Sequence, residues 1–130
     1  MAAAGSSAVG MERVAVLPVG ERVNFQLFQL APQGAAVRVG GRLAPAADDP
    51  QRRMLPTTDG GSLVLAAECE LPQPGGFVEV IGTKAGEAVL GAAGVVPLPG
   101  GEADAELWDE AVRMAHAPQL RHLFAPELAV

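Results

Sequence analysis

The chain has 130 residues with 16 glycines and 11 prolines, which bounds it to one domain with tails and favours a turn-rich β protein over a helical bundle. A formal charge of −6 weighs against a stand-alone nucleic-acid binder, whose affinity rests on neutralising phosphates. The single cysteine, Cys69, excludes an intrachain disulfide, and with neither a membrane-span run nor a signal-peptide pattern a cytosolic or nuclear protein with no membrane partner is expected.

Residues 1–13 read as a flexible tail, opening on the small-residue stretch MAAAGSSAVG. Residues 14–100 read as a β barrel, 101–117 as a helix, and 118–130 as an extension. Val14 to Val19 is apolar but carries Pro18, which suits an extended surface segment and not a central strand. Asn24 is an N-cap candidate for a short helix over Phe25 to Ala31. Val37 to Leu43 alternates as a strand, and its Gly40-Gly41 pair suggests a bulge or coil where the first strand of a small barrel bends. Gln51 to Thr58 is a weak strand whose end Pro56 demotes to an edge or turn. Asp59-Gly60-Gly61 is the clearest hairpin turn.

Ser62 to Ala67 is a two-sided apolar strand. Phe77 to Thr83 is the strongest strand, with Lys84 to Glu87 as a turn after it. Ala88 to Val96 is the last strand. Five strands without crossover helices imply antiparallel pairing. The fold class is therefore all-β with a short N-terminal helix and a long C-terminal helix.

Gly101 to Ala117 is the most patterned segment. At 100° per residue, Leu107, Trp108, Ala111, Val112, Met114 and Ala115 fall within roughly 160° of arc. Glu106, Asp109, Glu110 and Arg113 take the opposite side. Asp104 is an N-cap candidate, and Arg113 and His116 complement the helix dipole near the C-terminus. Such a stripe is wider than packing on one surface requires. Two readings stand open: a cap for the barrel's open end, or a second surface for another helix, which the small Ala111 and Ala115 would let approach closely.

In order, Leu17-Pro18-Val19-Gly20-Glu21-Arg22-Val23-Asn24, Gly40-Gly41-Arg42-Leu43, Gly76-Phe77-Val78-Glu79-Val80-Ile81-Gly82 and Leu107-Trp108-Asp109-Glu110-Ala111-Val112, continued by His116 and Pro118, resemble the smallest subunit of replication protein A. The resemblance covers Leu17 to about Pro126. Ala44 to Met54 departs from that family's first loop, and Pro56 falls where its second strand runs. The resemblance implies a five-stranded antiparallel OB-fold barrel. It also implies a nuclear heterotrimer with the large and middle subunits of replication protein A, which coats single-stranded DNA in replication, recombination and repair. The terminal helix would join a three-helix bundle through Leu107, Trp108, Ala111, Val112, Met114 and Ala115, and the small subunit would touch DNA weakly or not at all. A small subunit of a telomere-end complex on the same plan is the near alternative. A stand-alone OB-fold nucleic-acid binder is the alternative of another class.

OB-folds that grip single strands offer aromatic platforms on a basic groove. The basic candidates are Arg38, Arg42, Arg52, Arg53 and Lys84, each with solvated surface as the plainer reading. Phe77 could stack a base or sit in the core. Cys69, His116 and His122 are too few and scattered for a zinc site, so no metal or cofactor is expected. No nucleophile motif or phosphate loop is present, so the expectation is a protein that is not an enzyme.

Overall fold

The computed structural model describes residues 20–49, 52–67, 69–98 and 105–124. The expectations for residues 1–19, for Asp104 as a helix cap and for residues 125–130 lie outside these. In chain order the elements are β1 (Glu21–Val23), α1 (Phe25–Leu30), β2 (Ala36–Arg42), β3 (Ala44–Pro45), β4 (Arg53–Pro56), β5 (Ser62–Ala67), β6 (Phe77–Gly86), β7 (Val89–Pro97), α2 (Ala105–Ala115) and α3 (Arg121–Phe124).

The strands form one sheet in the order β1-β2-β6-β7-β5-β4-β3. This corrects the expected five-stranded antiparallel barrel. The sheet has seven strands and is mixed, with β1–β2 and β5–β7 parallel and the other pairs antiparallel. A parallel neighbour needs a crossover, and α1 supplies it between β1 and β2. The second parallel pair arises because β7 turns back from β6 into the slot beside β5. β3 follows β2 after Leu43 alone, so one continuous stretch pairs with β6 through its first half and with β4 through its second. An isolated bridge between Gly41 and Thr57 ties the two ends of the sheet together.

The glycine pair does not break β2, which stays in register with β6 from Ala36↔Thr83 to Arg42↔Phe77. Both glycines answer a steric demand instead. A Cβ on Gly41 would lie 2.2 Å from the Pro56 carbonyl oxygen, and one on Gly40 would lie 2.5 Å from Trp108 Nε1. Pro56 ends β4, where its lack of an N–H interrupts no further ladder. β6 runs on to Gly86 through two irregularities in its pairing with β7, so the expected turn at Lys84 is strand.

Period-two alternation turns Val37 and Val39 of β2 inward with Leu63 and Leu65 of β5 and Val78 and Val80 of β6, each 5% exposed or less. α1 closes one end through Phe28, which is completely buried. Asn24 caps α1, its Oδ1 accepting the Leu27 N–H at 2.9 Å. From the β4–β5 turn, Asp59 accepts the Phe25 and Gln26 amides at 2.9 and 3.0 Å and the Thr57 hydroxyl at 2.8 Å. Burial pushes the Asp59 carboxyl up, but these hydrogen bonds outweigh it and hold the group below the usual carboxylate range.

Candidate partner interface

α2 is fixed to the barrel by a polar hub. Asp109 is buried, and its Oδ1 accepts from Asn24 Nδ2 at 2.9 Å and from the Thr58 hydroxyl at 3.1 Å. Its Oδ2 pairs with Arg113 Nε at 3.1 Å, one turn along the helix. This corrects the placement of Asp109 on the water face. The barrel offers polar donors where the helix docks, so the docked face is centred between Val112 and Asp109 and not on the middle of the apolar stripe.

Trp108 lies at the edge of that docked face. Its ring packs edge-on against Phe77 with centroids 5.4 Å apart, and it covers Gly40. The Arg22 guanidinium sits 5.4 Å from the Trp108 ring centroid. Arg22 Nε also donates to Glu79 Oε2 at 2.6 Å and Nη2 to Oε1 at 3.3 Å. The hydrogen bond to buried Glu79 raises the Arg22 pKa further above its already high value, against the opposing effect of burial. Phe77 is buried beneath Trp108 and offers no face for a base.

The six stripe residues therefore divide. Val112 is buried in the chain's own core, while Trp108 and Ala115 are half-buried at the flank. Leu107, Ala111 and Met114 face outward, with Leu107 61% and Met114 53% exposed. Their spacing of four and three places them in one line along the helix. Glu106 and Glu110 are exposed on the far side of that line.

After α2 the chain turns and folds back. Arg121 of α3 pairs with Glu21 of β1. His116 Nε2 donates to the Arg22 carbonyl at 2.8 Å, which leaves Nδ1 to accept from Arg121 Nη1 at 3.0 Å. Between α2, α3 and the β1–β2 edge lies a groove of about 160 Å³, lined by Arg22, Arg38, Trp108, Ala111, Ala115 and Phe124 among others.

The basic candidates do not form one patch. Lys84 is buried, and its Nζ donates to the Phe28, Gln29 and Ala31 carbonyls at 3.0, 3.0 and 2.9 Å. It satisfies the C-terminal carbonyls of α1, which corrects its assignment as a phosphate contact. Arg38 shares an outward face with Gly40, under α2, and its Nε donates to the Gly20 carbonyl at 2.7 Å. Arg42, at the end of β2, donates to the Gly75 carbonyl at 2.6 Å and is exposed. Arg52 is exposed just before β4, and Arg53 is half-buried as the first residue of β4. None of the five aromatic side chains stands exposed on a strand: Phe77 is buried and the others lie on helices. Among the described residues no group of three His, Cys, Asp or Glu is placed to hold a metal, and no helix is long and apolar enough to cross a membrane.

No protein-family model and no curated protein sequence matches the chain. Solved structures do. A chain in the structure of U. maydis Replication protein A bound to ssDNA superposes with a TM-score of 0.67 at 18% identity, covering 85% of this chain and 99% of that one. The telomere capping protein Ten1 from Saccharomyces pombe gives 0.61 at 12% identity, covering 74% and 96%. A chain of the S. pombe Stn1-Ten1 complex gives 0.58 at 10% identity, covering 75% and 91%. The chain thus has the fold of these OB-fold proteins, built as a mixed seven-stranded sheet with α2 lying across it.

Proposed function

We propose that this chain is an assembly subunit of a multi-subunit single-stranded-DNA-binding complex and not an enzyme. It joins its partners through the outer face of α2. The observation that carries this reading is the division of the stripe: Asp109 and Val112 lock α2 to the barrel, and Leu107, Ala111 and Met114 are held outward in one line. A helix fixed in rotation and exposing large apolar side chains has the form of a helix-packing interface, with alanine allowing close approach. Its partners are the large and middle subunits of replication protein A, in the nucleus, and the DNA is gripped chiefly by them. The absence of an exposed strand aromatic and the internal use of Lys84 support a minor DNA role for this chain.

The likeness to Ten1 and to the Stn1-Ten1 complex supports a second reading of equal standing, a telomere-capping complex built on the same plan. Co-expression of the full chain with each set of cognate partners decides between them. Stable co-purification with the replication subunits supports the first reading. Co-purification only with the Stn1-type partner supports the second. Failure with both removes the assembly reading.

A further inference from the structure

The groove beside the α2 seam is lined by four ionisable side chains, and three of them are matched within the chain. Glu21 pairs with Arg121, Arg22 pairs with Glu79, and both ring nitrogens of His116 are engaged. Arg38 differs. Its Nε meets the Gly20 carbonyl, and among the described residues it takes part in none of the ion pairs. It is half-buried on the β2 face that carries Gly40 and packs against Trp108, and it lines the groove with Ala111 and Ala115. Ala111 belongs to the outward line with Leu107 and Met114 and Ala115 borders it, so a helix that covers the seam also covers the groove.

Covering an arginine without supplying an anion strips its water and leaves a buried unpaired charge, which is strongly unfavourable. A carboxylate in the groove reverses that sign, because guanidinium and carboxylate match in planar, two-point geometry. The opposite border of the seam is acidic, through Glu106 and Glu110, so the surface is charge-polarised across its width.

We propose that Arg38 is the recognition residue of this surface, receiving a carboxylate side chain from the partner helix that covers Leu107, Ala111 and Met114. The inference rests on the assembly reading above and specifies the partner's chemistry. The partner helix carries an apolar stripe bordered by Asp or Glu on the groove side. A partner lacking the acid is rejected by the desolvation of Arg38, so the residue sets specificity as much as affinity. The apolar walls formed by Trp108, Ala111, Ala115 and Phe124 fit the methylene stem of an acidic side chain better than a phosphodiester backbone.

The test uses the full chain co-expressed with its partner subunits. R38K keeps the charge and supplies an amine, so a zero-length carbodiimide can couple it to a carboxylate in contact, which mass spectrometry then locates. The expected result is an R38K-dependent link to an acidic residue on a partner helix, with R38E lowering complex yield about tenfold or more. The proposal is overturned if the complex forms but R38K links only to Glu21 of its own chain or to nothing, or if R38E assembles like the wild type. It is also overturned if R38E leaves assembly intact and weakens oligonucleotide binding by the isolated chain, since the groove would then serve phosphate. Failure of the wild type itself to assemble removes the assembly reading first, and so the two failures are told apart.

Discussion

Asn24 Nδ2 donates to Asp109 Oδ1 at 2.9 Å across 85 residues of sequence, while Asn24 Oδ1 caps α1. One side chain therefore fixes the N-terminus of one helix and the rotation of another. The two roles are separable by chemistry. Asp at position 24 keeps an acceptor for the Leu27 amide but loses the donor and sets a carboxylate against Asp109. Asn24→Asp should leave α1 protected and raise amide exchange throughout α2 at pH 7, read by hydrogen exchange in NMR. Asn24→Ala should weaken both helices, with a cap loss of about 1 kcal/mol in the α1 share. Equal protection of α2 in wild type and Asn24→Asp would refute the polar-hub account.

Gly40 is the seat of Trp108. A methyl group there would overlap the indole, so Gly40→Ala should lift the ring away from Phe77. The expected signs are a red-shifted tryptophan emission and a stability loss of about 1–3 kcal/mol, typical of overpacking. Unchanged emission would mean that the contact is not maintained in solution.

Lys84 illustrates how far the sequence could be read. Its strand neighbours are legible from β-branched alternation, but Lys84 to Glu87 reads as the hairpin turn, three residues before the observed one, and a turn lysine looks solvated. Nothing local signals that a lysine serves carbonyls 53 to 56 residues away. Lys84→Met should cost about 2–3 kcal/mol in denaturant unfolding, as buried charge-assisted hydrogen bonds are lost. It should leave the salt dependence of any oligonucleotide binding unchanged, because the amine is already committed. A fall in that salt slope with unchanged stability would reverse the assignment.

The same limit holds elsewhere in the chain. β1 and β3 are three and two residues long, too short to show period-two alternation. The stripe on α2 was legible from its apolar residues, but the rotation of the helix was not, because polar Asp109 docks it. Arg38 could have been separated from the other arginines. Alternation along β2 places it with Gly40, and a glycine on an outward face marks something packed against it.

Asp59 makes stability depend on acid in a defined direction. Its folded carboxyl lies below the unfolded value of about 3.9. The unfolded chain therefore takes up the proton first as pH falls, and the contribution is complete above about pH 4 and lost below it. Urea midpoints for Asp59→Asn should fall less steeply than wild type between pH 4 and pH 3. Parallel slopes would show that the carboxylate does not carry the α1 contact.

The central claim is that α2 has one private edge and one shared face. Val112 belongs to the private edge, so Val112→Asp would disturb the barrel and cannot test the interface. Leu107 and Met114 are already exposed, and their replacement by Glu should leave the isolated chain's thermal midpoint within a few degrees of wild type. The decisive measurement is the mass, by light scattering after size exclusion, of complexes co-expressed with wild-type chain and with Leu107→Glu/Met114→Glu. The account predicts full assembly mass for the wild type and a free, folded subunit for the double variant. A double variant that keeps the full assembly mass would contradict it.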